Sequence, residues 1–319
     1  MALETDGTSN RSGADEQGFW ARLLDSDMLY SFMRNRLVVL AAIVTLAFVV
    51  VSLLAPWIAP HDPYDVRTLN LLDSHTPPAW EDGGDPRFLL GTDDQGRDIL
   101  STILFGARSS IAIGILSVVL AMVTGVSLGL VAGYFGGPVD TVIMRIADVQ
   151  LTFPAILTAL LIDGVARVLL GTHGSGGGEF WILVAAIGLS FWVQYARTVR
   201  SITLVERNKE YVQAARLIGL SSFNIMFNQV LPNVMSPVLV IATINLALAI
   251  LTEATLSFLG VGLPPTEPSL GTLIRVGNNF LMSGEYWIVI FPGIALAALV
   301  LAVNLLGDWL RDALNPKLR

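Results

Sequence analysis

Six stretches of the chain are apolar over close to the ~20 residues that a helix needs to cross the hydrocarbon core of a bilayer. They cover residues 37–57, 109–134, 141–170, 180–197, 234–259 and 286–306. The third contains Pro154. A proline removes a backbone donor, so this span is expected to kink there. Between the fourth and fifth lies the one long polar interruption of the second half, residues 198–233, which contains "EYVQAARLIGL". At 100° per residue, Tyr211, Ala214, Ala215 and Ile218 share one helical face, and Lys209, Glu210, Gln213 and Arg216 share the other. Gly219 is placed to stop that helix in the left-handed conformation, and Ser221 or Ser222 to cap the next. In the second helix Phe223, Met226, Phe227 and Val230 form an apolar stripe, and Leu231, Pro232 and Asn233 are expected to end it before the fifth span. The pattern predicts a helix–turn–helix across one end of a bundle. Amphipathicity alone leaves two occupants for its apolar face, the bilayer surface and a protein groove.

Composition fixes the class. Of 319 residues, 53% are hydrophobic and 14% charged, too little charge to cover a soluble domain. A membrane barrel would show short alternating segments instead of long apolar ones. The expected fold is an all-α polytopic membrane protein with six transmembrane helices. There is no cysteine, which excludes disulfides, thiolate catalysis and thiolate metal sites. Residues 1–36 read as a cytoplasmic segment with a disordered start and, over 19–36, an interfacial helix presenting Phe19, Trp20, Leu23 and Leu24. Residues 1–30 lack the apolar core and cleavage site of a signal peptide. Residues 58–108 form an extracytoplasmic segment, 109–306 a five-helix core and 307–319 a tail.

Orientation follows from basic residues near the spans. With six spans the termini, the 135–140 turn and the 198–233 loop share a side. That side carries 12 Lys and Arg (Arg22, Arg34, Arg36, Arg145, Arg197, Arg200, Arg207, Lys209, Arg216, Arg311, Lys317 and Arg319) against 5 opposite (Arg67, Arg87, Arg97, Arg108 and Arg275). The loop and both termini are therefore expected in the cytoplasm.

Several residues invite a chemical reading. Asn245, Ala249, Thr252 and Glu253 make a polar or small stripe in the fifth span, lining a translocation path or, the reading slightly favoured, bonding helices together. Arg145 with Asp148, and Asp163 with Arg167, are spaced as local pairs. "GTDDQGRD" (91–98) has three aspartates but lacks a full calcium-loop pattern, so a turn before an interfacial helix is expected. His61, His75 and His173 are scattered without ligand spacing, and "GSGGGE" (174–179) is a flexible external turn. No metal is expected, and no phosphate-cradling GxxxxGK[ST] loop is present.

One stretch carries a resemblance. "QAARLIGLSSFNIMFNQVLP" (213–232) resembles the EAA loop of ABC importer permeases: Ala214, Ala215, Gly219, Leu231 and Pro232 stand at the motif's spacing. Gln213 stands where the motif has Glu, and Gln229 where it has Ile. "LLGTDDQGRDILSTILFGARSSI" (89–111), "GYFGGPVDTVIMRIADVQLTFP" (133–154) and "ATLSFLGVGLPPTEPSLGTLI" (254–274) resemble the dipeptide, oligopeptide and nickel subfamily, with Leu270 where an aromatic is usual. Over about residues 20–315 the chain is similar to the second permease of such importers.

That resemblance implies a type I permease bundle in a bacterial or archaeal inner membrane. It would work with a second homologous permease, two cytoplasmic ATPases that hold ATP and Mg2+, and an extracytoplasmic substrate-binding protein. The chain would bind no cofactor or nucleic acid and catalyse nothing itself. Glu210, Tyr211, Gln213, Ala214, Ala215, Ile218, Gly219, Leu231 and Pro232 would couple it to an ATPase, with the face around Ala214 and Ala215 in an ATPase groove. Peptides are the expected cargo; nickel chelates, glutathione or opines fit the same pattern. The competing class is an ATP-independent carrier or channel, which should build its site from internal repeats; none is evident.

Overall fold

A computed structural model of the chain describes residues 32–65, 67, 69–170, 178–264, 267 and 269–313. The expected disordered start, the 19–31 part of the interfacial helix, His173, most of the 174–179 turn and the end of the tail lie outside the described residues.

Nine helices organise the described residues: α1 (Arg36–Leu53), α2 (Ile99–Phe135), α3 (Gly137–Leu151), α4 (Ala155–Leu170), α5 (Gly178–Glu206), α6 (Glu210–Leu217), α7 (Leu231–Phe258), α8 (Leu270–Asn278) and α9 (Trp287–Ala313). A further single turn, Ala55–Ile58, extends α1. Among the described residues the only β pairing is an isolated antiparallel bridge between Thr92 and Asp98. Five helical stretches are long and apolar enough to cross a membrane: α1, α2, α5, the continuous Ser222–Phe258 and α9. The pair α3 and α4 supplies a sixth if taken together, although the two axes meet at 99°. The kink expected at Pro154 is thus nearly a right angle. Proline denies the turn one donor, and Thr152 Oγ1 turns back to the Asp148 and Val149 carbonyls at 3.1 and 2.8 Å.

The bundle is built around α2 and α5. Gly125, Gly129 and Gly133 repeat every fourth residue on α2 and let the backbones touch. A Cβ at these positions would lie 2.4 Å from Trp192 O, 2.6 Å from Ala196 O and 2.7 Å from Thr203 Cβ, respectively. Small residues at this spacing are how helices associate in lipid, where no hydrophobic effect drives them together. One buried cluster runs from this seam through Leu183, Ile187, Val212, Ile225, Val230 and Val234. A second joins α2, α7, α8 and α9 through Ile99, Ile103, Ile250, Leu273, Ile288 and Leu299. The short helix α8 is wedged between α7 and α9: a Cβ at Gly271 would fall 2.4 Å from Ala254 O, and one at Gly277 2.5 Å from the Ile288 carbonyl carbon.

The two ends of the bundle differ. At one end "GTDDQGRD" is the expected turn, but it opens α2 itself at Ile99 and not a separate interfacial helix before a span that starts at 109. Asp98 caps α2 through Ser101 N at 2.9 Å, and Asp93 and Arg97 form a buried pair at 2.7 Å. Trp287 Nε1 donates to Thr92 O at 3.1 Å, and His75 Nδ1 lies 2.5 Å from Glu285 Oε2, so residues 70–98 are fastened onto the start of α9. No group of three or more possible metal ligands occurs among the described residues. At the other end Asp140 holds Arg200 through Nη2 at 2.6 Å, tying α3 to α5. Asp148 pairs with Arg197 of α5, not with Arg145. Helical spacing offered Asp148 a neighbour three residues away, but the packing of α3 on α5 brings a guanidinium across the seam.

Candidate functional site

The loop of residues 198–233 is a clamped platform. Glu206, the last residue of α5, accepts from Lys209 Nζ at 2.7 Å and from Tyr211 Oη at 2.6 Å. Tyr211 Oη also accepts from Asn233 Nδ2 at 3.1 Å, so one phenol ties α6 to the end of α5 and the start of α7. Burial, reinforced by the Glu206 carboxylate, pushes this phenol up to about 12. Arg207 Nη1 donates to the Gly133 and Tyr134 carbonyls at 2.9 and 3.3 Å, satisfying acceptors that the end of α2 leaves open. The Arg216 guanidinium lies 5.0 Å over the Tyr134 ring. Two arginines from the loop thus grip the same end of α2.

The helix α6 ends as its sequence requires. Leu220 N donates to Ala215 O at 3.1 Å and Gly219 N to Arg216 O at 3.0 Å, the paired bonds of a Schellman motif. Gly219 has φ +82° with open space where a Cβ would stand, so backbone conformation and not room demands glycine. Ser221 is the next cap, accepting from Asn224 N at 3.3 Å.

The structure divides the expected docking face. Ala215 is only 6% exposed and, with Val212, packs inward against Ile225, Met226 and Val230. Ala214 is exposed beside Leu217 and Ile218, which are 89% and 77% exposed. Phe223 and Phe227 extend this apolar surface, their ring centroids 4.4 Å apart, while Met226 and Val230 of the same expected stripe are buried. The helical wheel grouped Ala214 with Ala215 because they are 100° apart, but the core lies on the Val212 side. Leu217 lies outside the expected docking set; a wheel of α6 centred on Val212 and Ala215 puts it on the exposed side, whereas Phe223, beyond the Gly219 break, is beyond the reach of that wheel. Glu210 and Gln213 are exposed, and Gln213 Nε2 bonds within the chain, to Asn208 O at 3.0 Å.

Leu231 and Pro232 do not end a helix. Residues Ile225–Val230 form a π-helix that runs directly into α7, with Leu231 N donating to Met226 O. Pro232 stands just after this π-turn, inside the continuous helical stretch, where it removes one backbone donor without breaking the helix.

Among the polar residues of the α7 stripe, Glu253 bonds across to another helix. Glu253 is fully buried and accepts from Ser110 Oγ of α2 and Ser257 Oγ, both at 2.7 Å. The same Ser110 Oγ accepts from Leu270 N at 3.2 Å, which joins α8 to this contact. Thr252 bonds its own helix at Leu248 O, 2.7 Å away. Asn245 is buried facing Tyr195 of α5. Asp163 and Arg167 pair as their spacing predicted, at 2.6 Å.

The chain's relatives agree with these features. Residues 125–319 match the family described as binding-protein-dependent transport system inner membrane component, and residues 24–78 match the N-terminal TM domain of oligopeptide transport permease C. The dipeptide transport system permease protein of Haemophilus influenzae is 39% identical over 290 residues, covering 91% of this chain and 94% of that protein. The di/tripeptide transport system permease protein of Pseudomonas aeruginosa is 40% identical over 289 residues, 91% of each chain. The dipeptide transport system permease protein of Escherichia coli K12 is 42% identical over 290 residues, 90% and 91% of the two chains. A chain in the inward-facing structures of the MetNI methionine ABC transporter superposes with a TM-score of 0.52 at 19% identity, covering 68% of this chain and 98% of that one, and shares its fold.

Proposed function

The chain belongs to the family of binding-protein-dependent transport system inner membrane components, and on that premise we propose that it forms half of a path carrying di- or oligopeptides inward, driven by ATPases docked on residues 198–233. The relatives named for dipeptide or di/tripeptide transport align along nine-tenths of the chain, which supports peptides as the cargo. The chain is a transport subunit; ATP and Mg2+ belong to two ATPase partners. A second permease completes the path, an extracytoplasmic binding protein delivers the peptide, and the termini face the cytoplasm.

One observation carries the docking claim. Leu217 and Ile218 are fully presented on a helix that Tyr211, Arg207 and Arg216 clamp to α2, α5 and α7. An exposed apolar cluster on a rigid mount marks an interaction site. Movement of a partner seated there reaches three spans directly. Glu210, Gln213 and Ala214 edge the docking face, while Ala215, Gly219, Leu231 and Pro232 shape it from behind.

The test compares Leu217→Asp with Ala215→Leu. Leu217→Asp is expected to leave the permease folded, to reduce co-purification of the ATPase by at least about tenfold, the equivalent of ~1.4 kcal/mol, and to abolish peptide uptake. Ala215→Leu is expected to lower the thermal stability of the permease itself, because it overfills a packed interior. Full ATPase recovery and uptake with Leu217→Asp would place the docking face elsewhere.

A further inference from the structure

At the end of the bundle away from the 198–233 loop, one guanidinium joins three elements. Arg167, near the end of α4, bonds Asp163 of its own helix through Nε at 2.6 Å. Its Nη1 lies 3.3 Å from Glu179 Oε1 in the first turn of α5. Its Nη2 donates to Gly262 O at 3.0 Å and to Val261 O at 3.4 Å, in the loop that follows α7. A second arginine reaches this loop from the other side: a Cβ on Gly260 would stand 2.7 Å from Arg275 Nη1 of α8. The loop is doubled back on α7 so tightly that a Cβ on Gly262 would lie 2.0 Å from Ser257 Oγ. That hydroxyl donates to Glu253, which also accepts from Ser110 of α2.

Arg167 thus holds one side of a short strap, residues 259–264, whose Gly262 folds back on Ser257, the residue that Glu253 fixes. Ionisable groups at membrane depth are costly and are retained where they have a task. Apolar packing would hold α4 more cheaply, but it would hold it permanently. A guanidinium that remains 19% exposed can exchange a carbonyl for water at small cost. Meanwhile α4 turns Leu161, Val165 and Val168 outward, so beyond its seam with α5 little else restrains its far end.

Resting on the importer reading above, we propose that Arg167 is a positioning residue that latches the outer end of α4 to the strap after α7 and keeps the path closed on that side until the loaded binding protein docks. Glu253 holds the strap's base, so the latch acts against a fixed anchor. Releasing Arg167 from Val261 and Gly262 frees α4 to swing with its docked half of the path.

The experiment uses the complete transporter, with both permeases and ATPases, in liposomes. Wild-type complex showing ATP-dependent peptide uptake stimulated by binding protein supports the importer reading; if it shows neither, both the reading and the latch fall. Against that baseline Arg167→Gln is expected to raise ATP hydrolysis without binding protein by roughly fivefold or more, the lower end of typical coupling between sites. It should also blunt stimulation by loaded binding protein, whereas a destabilised permease would lose both activities together. An assembled Arg167→Gln complex with wild-type dependence on binding protein overturns the latch. Should that variant fail to assemble, Arg167→Lys keeps a cation beside Asp163 and Glu179 but loses the guanidinium fork that reaches Val261 and Gly262. Spin labels at Val168→Cys and Leu259→Cys in this cysteine-free chain then read the gap directly: a broadened, lengthened distance is expected, and an unchanged one overturns the proposal.

Discussion

Gln213 Nε2 donates to the main-chain oxygen of Asn208 at 3.0 Å, closing the turn that launches α6. Between glutamine and an ionised glutamate, only the amide carries a donor for this bond. A carboxylate in its place would set oxygen against oxygen. Restoring the glutamate usual in the EAA motif is therefore expected to loosen the loop. The loss is about 1 kcal/mol, the net worth of an ordinary hydrogen bond. Hydrogen exchange across residues 209–218 of Gln213→Glu should quicken about fivefold; unchanged protection would show that the bond carries no weight.

The seam between α2 and α5 separates two glycines of similar appearance. Gly129 has no room for a Cβ, which would come within 2.6 Å of Ala196 O, whereas Gly164 of α4 has nothing within 4 Å. Gly129→Leu should destabilise the purified protein by at least ~1–3 kcal/mol through overpacking. Gly164→Ala should be neutral or stabilise by up to about 1 kcal/mol through helix propensity. Thermal unfolding in detergent distinguishes them, and equal midpoints would refute the seam.

Gly219 makes a different demand, since its φ of +82° is the obstacle and space is free. Gly219→Ala should cost about 1 kcal/mol and fray the Schellman turn. Gly219→Asn, more at ease in the left-handed region, should recover much of the loss. Peptide uptake by the two variants in parallel checks the order; equal defects would point to the side chain itself.

Tyr211 supplies a pH test. Its phenol is pushed up to about 12 by burial and by Glu206. A group whose pKa is raised on folding contributes stability that is complete below its unfolded value, about 10, and is lost as pH climbs through the folded one. The loop should therefore keep its Tyr211 clamp up to pH 10 and shed it between about 10 and 12. The difference in 295 nm absorbance between wild type and Tyr211→Phe should titrate near the upper value. A midpoint near 10 would mean that the bond to Glu206 is not made.

Much of this architecture is legible in the sequence because hydrophobic length and punctuation are local signals. The apolar spans, the break at Pro154, the stop at Gly219 and the Asp163–Arg167 pair all follow from spacing. What spacing cannot supply is direction. A proline announces a break but not its 99° angle. A wheel gathers Ala214 with Ala215 yet cannot say which of them meets Val230 and which meets solvent. Asp148 finds Arg197 only after α3 lies on α5. Glu253 likewise meets the hydroxyl of Ser110, far away in sequence, only once α7 lies on α2.

The glycine seam also sets the mechanical character of the molecule. Where backbones touch, no pliable side-chain layer lies between them to absorb motion. With 37 residues, α2 is a rod of roughly 55 Å, gripped at one end by Arg207 and Arg216 and bonded near the other to Glu253 through Ser110. For a rod of that length, pivoted at one end, a tilt of about 5° carries the far end through about 5 Å. The pair α2 and α5 is in effect a stiff lever, and a slight rotation at the loop becomes a displacement of atomic size at the opposite face.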